Sequence, residues 1–272
     1  FALSDYVDLA LTGEIYTKGS WGLSARSAYR KRYKYSGNFN ASLLTTILGD
    51  KVVPKEYSKS KDFKITWTHS QDAKANPYRS FSASVNFATS SYDRNQLTNI
   101  YNQNSTSNTK GSSVSLSQRF PNSPFSLSAT MNVNQRSRDS SISVTLPDVS
   151  ITMSRIYPFK RKHAVGSEKW YEKISMSYSG YLRNSIDTKE NKLMQSSLVK
   201  DWRNGMQHNI PISATFNLFK YINISPSFNY TERWYTSKIM QEWNETSKRL
   251  MPSDTIYGFN RVYNYNAPLS AS

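Results

Sequence analysis

The sequence contains no cysteine, only three histidines and no recognisable catalytic motif. The lack of cysteine excludes disulfide bonds, thiolate metal sites and a cysteine nucleophile. The histidines, His69, His163 and His208, do not have the spacing of metal ligands. Neither a glycine-rich phosphate loop nor a G-x-S-x-G elbow is present. We therefore predict a protein without catalytic residues, bound metal or cofactor.

Long apolar runs and acidic residues are also scarce. No run approaches the roughly 18 apolar residues of a membrane-spanning helix, which excludes a helical membrane protein. The chain begins at Phe1 without a signal-peptide pattern, so we expect a processed protein or a piece of a longer one. Basic residues number 35 against 19 acidic ones, which gives a net charge of +16. Only 37% of residues are hydrophobic, but the 14% that are aromatic argue against disorder.

Apolar and polar side chains alternate along nearly the whole chain. Within each segment the apolar residues share one parity. They include, with odd numbers, Trp21, Leu23 and Ala25, then Leu43, then Phe63, Ile65 and Trp67, then Phe81, Val85 and Phe87, and, with even numbers, Met176, Tyr178, Leu182, Ile210, Ile212 and Phe228. Alternation predicts strands with one apolar and one polar face. Several segments have lengths of roughly 10–14 residues, which is typical of tilted membrane-crossing strands rather than of soluble ones.

The connections and the aromatic residues fit the same architecture. Short turns alternate with longer polar segments, at residues 49–61, 91–111, 160–169, 185–191 and 241–254. Aromatic residues lie toward the ends of strands, as in interfacial girdles. We predict an all-β, antiparallel, up-and-down transmembrane β-barrel, in the form of a partial barrel of about a dozen strands over residues 1–272. A large soluble β-sandwich or β-solenoid with one wet face is the alternative.

One predicted strand changes its alternation at Pro147 and Asp148. The apolar residues before this point, such as Leu146, have even numbers, whereas those after it, such as Val149, have odd numbers. A change of one residue requires a bulge or the end of a strand. Proline suits either place because it cannot donate a hydrogen bond to a neighbouring strand. A bulge and a turn between two short strands remain equally good interpretations.

Several segments resemble one known family. They are residues 6–12 (YVDLALT), 15–21 (IYTKGSW), 30–33 (RKRY), 37–40 (GNFN), 146–162 (LPDVSITMSRIYPFKRK) and 169–174 (KWYEKI). In their order and in their succession of strand and turn residues, they resemble the barrel of the LptD-type lipopolysaccharide-assembly proteins of the bacterial outer membrane. The resemblance covers most of the chain. It depends on the pattern of strands and turns and on two distinctive segments.

The resemblance implies a large barrel that passes lipopolysaccharide to the outer leaflet among outer-membrane lipids. It also implies a plug lipoprotein (LptE-like) in the lumen and a periplasmic lipopolysaccharide-bridge protein that binds through an N-terminal jelly roll. That jelly roll and the remaining strands are absent from this sequence, so we expect a segment of the barrel. A general porin or nutrient receptor is the alternative function. An outer-membrane phospholipase is a weaker one, with His69 on the outward parity as its histidine.

Four basic residues near one turn are candidate contacts for lipopolysaccharide. Arg26, Arg30 and Arg32 share the polar parity, so we predict that they line the lumen of one strand. Lys31 has the opposite parity. If this strand end is the outer one, as the family order implies, Lys31 extends to lipid A phosphates. The alternative is that all four are ordinary lumen and rim charges without a ligand.

A basic run, Lys160, Arg161 and Lys162, falls in a predicted turn. We predict contact with a partner domain or with inner-leaflet headgroups, and a solvated turn is the alternative. The basic residues of the chain are dispersed over strands and loops, and no nucleic-acid-binding motif accompanies them. We therefore predict no nucleic-acid partner.

Overall fold

A computed structural model describes residues 1–50, 52, 54, 56–95, 109–163, 166–218 and 222–271. Its strands are β1 (Ala2–Ser4), β2 (Val7–Ile15), β3 (Trp21–Lys31), β4 (Tyr35–Leu48), β5 (Ser58–Gln71), β6 (Arg79–Ala88), β7 (Thr109–Arg119), β8 (Phe125–Arg136), β9 (Ser141–Ile156), β10 (Ser175–Lys189), β11 (Arg203–Ser213), β12 (Phe216–Leu218), β13 (Ile222–Asn244), β14 (Arg249–Asn266) and β15 (Leu269–Ala271). Two short helices, α1 (Tyr92–Asn95) and α2 (Glu190–Leu193), and a 3₁₀ turn (Trp170–Lys173) complete the described elements. Within this part of the chain, no helix has the length and apolar character needed to cross a membrane.

The strands form one antiparallel sheet of fifteen members. From β1 to β11 each strand lies beside the next one in sequence, and β13 then pairs with β11, β12, β14 and β15. The predicted all-β, antiparallel, up-and-down architecture is confirmed. The excess over the predicted dozen strands consists of β1, β12 and β15, which have three residues each and are too short to show alternation.

Contacts between residues divide the chain into two compact units. Unit 1 contains residues 1–117, 130–146 and 186–195, and unit 2 contains residues 118–129, 147–185 and 196–272. In unit 1 the buried side chains include Leu44, Ala88 and Tyr92, which pack together. In unit 2, Met153 is a buried apolar residue. Most other large apolar side chains of the described residues are partly exposed.

Strand β9 is continuous through the position where alternation changes. It extends from Ser141 to Ile156 and includes Pro147 and Asp148. The interpretation as two short strands with a turn between them is therefore wrong. Ile142 and Val144 are buried before this point and Met153 after it, so the buried parity changes within one strand. The boundary between the two units also falls between Leu146 and Pro147.

One predicted polar connection is displaced along the chain, one is shorter than predicted, and one lies mostly outside the described residues. Residues 185–189 belong to β10, so the connection predicted at 185–191 lies at 190–202 instead. The connection expected at 241–254 is a hairpin turn at 245–248. Polar residues continue both strands because ladder hydrogen bonds do not depend on the side chain. Of the predicted segment 91–111, residues 96–108 lie outside the described part of the chain.

Candidate functional site

The strands β3 to β6 of unit 1 present an apolar face. Their register places Leu23, Leu43 and Phe63 side by side in one row, and other rows contain Ala25, Ala41, Ile65 and Phe87, or Phe39, Trp67 and Val85. Leu23 and Leu43 are 49% and 53% exposed. A largely apolar surface with this exposure is typical of a lipid-facing wall, although Ser27 pairs with Phe39 in the third row. The register confirms that the apolar side chains of these strands share one face, as predicted.

One end of this apolar face carries an aromatic cluster around a histidine. The Tyr29 hydroxyl lies 2.8 Å from His69 Nδ1, and the Trp67 indole N–H donates to the same hydroxyl at 2.8 Å. Tyr35 and Phe81 pack their rings against His69. These contacts give His69 a structural role at the end of the strand. Its described hydrogen-bonding neighbour is a tyrosine, whereas the phospholipase interpretation requires a serine.

The opposite face of the same strands is polar. Arg26 lies in a row with Ala10, Asn40, Thr66 and Asn86. Arg30 lies in a second row, with Ser36, Ser70 and Ser82. Both arginines are exposed. Hydroxyls, amides and guanidinium groups are the donors that suit saccharides and phosphates.

The other two basic candidates lie at the end of β3. Lys31 is its last residue and pairs with Tyr35, on the apolar parity as predicted. Its ammonium nitrogen lies 4.8 Å from the centre of the Tyr6 ring. Arg32 lies in the turn that follows, with its guanidinium carbon 5.0 Å from the Tyr33 ring. The prediction that Arg32 lines a strand is wrong, because the strand ends one residue earlier.

A short segment after β6, residues 89–95, covers one end of the polar face. The carboxylate of Asp62 on β5 is buried and accepts hydrogen bonds from four side chains, those of Ser60, Thr89, Ser91 and Asn95. Thr46 on β4 donates to the Asn95 carbonyl at 3.0 Å. Tyr92 packs on Leu44, which shares the polar face.

Two further carboxylates fix the same region of unit 1. Asp93 forms an ion pair of 2.7 Å with the buried Lys110. Glu190 accepts hydrogen bonds from the Ser90 hydroxyl at 2.7 Å and from the Gln135 amide at 2.9 Å. Gln135 also pairs with the backbone N–H and carbonyl of Ala88. The sequence analysis did not identify any of these residues, because their partners are distant in sequence.

The predicted strand irregularity carries a weak ion pair. The Asp148 Oδ2 atom lies 3.6 Å from Arg183 Nε on β10, and the arginine side chain is 66% exposed. An exposed pair at this distance contributes little to stability. This geometry places Pro147 and Asp148 within β9 without assigning them a ligand.

The predicted basic turn lies in the connection between β9 and β10. Glu172 is buried, and its carboxylate accepts hydrogen bonds from the Arg161 guanidinium at 2.7 and 2.9 Å, from the Arg161 amide at 3.2 Å and from the Lys169 amide at 2.7 Å. The guanidinium, followed by the Lys169 amide, lowers the pKa of the Glu172 carboxyl to about 2. Lys160 pairs with Glu168 at 3.1 Å, which raises the lysine pKa. Lys162 is exposed.

Unit 2 contains a second aromatic cluster, on β10, β11, β13 and β14. The Tyr178 hydroxyl lies 2.8 Å from His208 Nδ1, and the His208 and Trp234 ring centres are 4.4 Å apart. Glu232 accepts hydrogen bonds from the Trp234 indole at 2.6 Å and the Tyr230 hydroxyl at 2.7 Å, and it forms an ion pair with Arg261. This charged network was also missed, since the sequence shows only alternation there.

Comparison with known proteins agrees with this two-faced sheet. A family model described as LptD protein matches residues 1–272, the whole of the chain. A search of curated proteins gave no match.

Proposed function

The chain belongs to the LptD family, and we propose that its sheet forms part of the wall through which lipopolysaccharide passes to the outer leaflet of the bacterial outer membrane. The family consists of outer-membrane lipopolysaccharide-transport proteins rather than enzymes. The observation that carries the proposal is the two-faced sheet of unit 1. Its apolar face suits lipid, and its Ser, Thr, Asn and Arg rows suit a hydrated saccharide.

In this proposal Arg26 and Arg30 contact the charged groups of the passing saccharide. Both are exposed on the polar face, where Arg26 pairs with Asn40 and Arg30 with Ser36 on β4. A guanidinium can bind a phosphate or carboxylate through two hydrogen bonds. The wall acts by shape and charge without a covalent step. A plug lipoprotein in the lumen and a periplasmic bridge protein are the partners that we propose for the complete assembly.

Connection lengths in unit 1 favour one orientation in the membrane. At the end of the sheet that carries Lys31, β3 leads into a short turn, residues 32–34. At the opposite end of the sheet, β4 and β6 lead into the longer connections 49–57 and 89–108. Short turns are typical of the periplasmic side of outer-membrane barrels. We therefore propose that Lys31 lies near inner-leaflet headgroups. Contact with lipid A at this end would require the opposite orientation.

Photo-crosslinking at two adjacent residues tests the proposal. Ser42 lies on the polar face of β4 and Leu43 on its apolar face. A photoreactive amino acid at Ser42 in cells should give lipopolysaccharide adducts that disappear when lipopolysaccharide supply is blocked. The same residue at Leu43 is the matched control and should give adducts with phospholipid. Absence of lipopolysaccharide adducts at Ser42, in a correctly assembled protein, would instead favour the porin or nutrient-receptor function.

A further inference from the structure

The β9–β10 connection presents aromatic rings and lysines outside the strands. We call residues 157–163 and 166–174 the anchor loop. Phe159 is 57% exposed and Trp170 is 63% exposed. The segment 157–174 contains five basic and two acidic residues. Exposed aromatic rings beside lysines are unfavourable in water but typical of segments at a membrane surface.

The anchor loop is held in a defined shape by one buried carboxylate. Glu172 accepts hydrogen bonds from both parts of the loop, from the Arg161 guanidinium in the first part and from the Lys169 backbone amide in the second. Arg161 also donates to the Ser167 carbonyl at 3.4 Å. The Arg161 guanidinium and the Glu172 carboxylate satisfy each other, and Lys160 pairs with Glu168. The exposed lysines Lys162 and Lys169 then carry positive charge at the surface of the loop. These hydrogen bonds therefore connect the two described parts of the loop that carry the exposed rings.

The lysines of the loop lie beside its aromatic rings. Lys160 Nζ is 5.7 Å from the centre of the Tyr157 ring, and Lys169 Nζ is 5.9 Å from the Tyr171 ring. The Trp170 ring packs edge-on against Phe216 of β12, with centres 6.5 Å apart. Aromatic rings with ammonium groups around them match a phospholipid surface, where phosphates lie above acyl chains.

We propose that the anchor loop docks on the phospholipid headgroup layer of the membrane, with Phe159 and Trp170 inserted among the headgroups and the exposed Lys162 and Lys169 on the phosphates. This inference depends on the proposed function only in that the sheet lies in a membrane. The occupant is the lipid surface rather than a partner protein, because positive charge and exposed rings occur together on the loop.

Tryptophan quenching by brominated phospholipid tests this proposal. The protein is reconstituted into vesicles of phosphatidylcholine and phosphatidylglycerol with bromine close to the headgroup. The Trp170 signal is the difference in emission between the unaltered protein and Trp170→Phe. We expect about a twofold loss of this signal on bromination, since interfacial indoles lie at this depth. In Glu172→Gln, which keeps the shape of the side chain but not its charge, the loss should become smaller.

Trp67 supplies the matched control, because it lies on the apolar face of β5. Its signal, obtained from Trp67→Phe in the same way, should be quenched by bromine on the acyl chains. If Trp67 is quenched but Trp170 is accessible to aqueous iodide, the anchor loop does not dock on lipid and the inference is wrong. If neither tryptophan is quenched, the placement of the sheet in a membrane fails instead.

Discussion

The two aromatic clusters share a histidine–tyrosine hydrogen bond but differ in charge. In unit 1 the pair is Tyr29 and His69, and in unit 2 it is Tyr178 and His208, each with a distance of 2.8 Å. The first cluster is completed by neutral aromatic rings. The second has an ionised pair, Glu232 and Arg261, beside its tryptophan. In the second cluster the Glu232 carboxylate is stabilised by three partners, Tyr230, Trp234 and Arg261. Several such donors are needed to offset the cost of a charge near apolar side chains.

Glycine is required more strictly in the first cluster than in the second. A Cβ on Gly37 would overlap both the Tyr29 hydroxyl and the backbone carbonyl of Thr68, whereas a Cβ on Gly180 would overlap only the side chain of Tyr178. Gly37→Ala should therefore destabilise the protein by about 3 kcal/mol, and Gly180→Ala by about 1 kcal/mol, because a side chain can move and a paired backbone cannot. Thermal unfolding followed by circular dichroism measures both, and equal losses would contradict the difference.

Removal of one charge should disturb only the second cluster. Glu232→Gln leaves the Arg261 guanidinium without its carboxylate partner, in a network that also includes Tyr230 and Trp234. We expect a lower melting temperature and a changed Trp234 emission, since an unpaired charge near apolar surface is unfavourable. The double variant Glu232→Gln with Arg261→Gln is the control. It should recover part of the loss, and no recovery would show that the ion pair is not the cause.

Loss of the tyrosine hydroxyl should cost more in unit 1 than in unit 2. The Tyr29 hydroxyl has two partners, Trp67 and His69, whereas the Tyr178 hydroxyl has His208. Tyr29→Phe should reduce the free energy of unfolding by about 2 kcal/mol and Tyr178→Phe by about 1 kcal/mol, because each lost partner leaves a polar group unsatisfied. Denaturant titration of the two variants in the same detergent measures the difference, and a larger loss for Tyr178→Phe would contradict this ranking.

The smallest expected effect is that of acid on the anchor loop, where protonation of Glu172 removes a stabilising charge. The folded-state pKa of Glu172 is lowered from 4.5 to about 2, so its stabilising contribution is fully present above about pH 4.5 and is lost as the pH falls toward 2. Protease cleavage in the anchor loop should therefore increase only below pH 4.5. The control variant Glu172→Gln should be cleaved at the same rate at pH 7 and pH 3. Cleavage of the unaltered loop at neutral pH would contradict the proposal that Glu172 holds the loop in a defined shape.

Alternation was sufficient to predict the faces of the sheet. The rows through Leu23 and Leu43, and through Arg26 and Asn40, follow from parity and from antiparallel pairing of neighbouring strands. The end of β3 was not predictable in this way, because Arg32 continues the parity although the turn has begun. At Pro147 periodicity detected the irregularity but did not distinguish a bulge from a turn.

Contacts between distant residues lay beyond the sequence pattern. Asp62 and its donors Thr89 and Asn95 are 27 and 33 residues apart, and Tyr29 and His69 are 40 residues apart. Local periodicity contains no information about which of many serines, threonines and asparagines approaches a given carboxylate. The register of the strands had to be known first, and the register of a sheet is a property of the folded chain.

The covered end of the polar face has a consequence for the order in which the chain assembles. Residues 89–95 follow β6 directly and supply three of the four donors to Asp62. That carboxylate lies on β5, so these bonds form only after β5 and β6 have come together. Contacts with large sequence separation form late, because the intervening chain must first be ordered. Docking of residues 89–95 on Asp62 therefore follows the pairing of β5 with β6 as the chain folds.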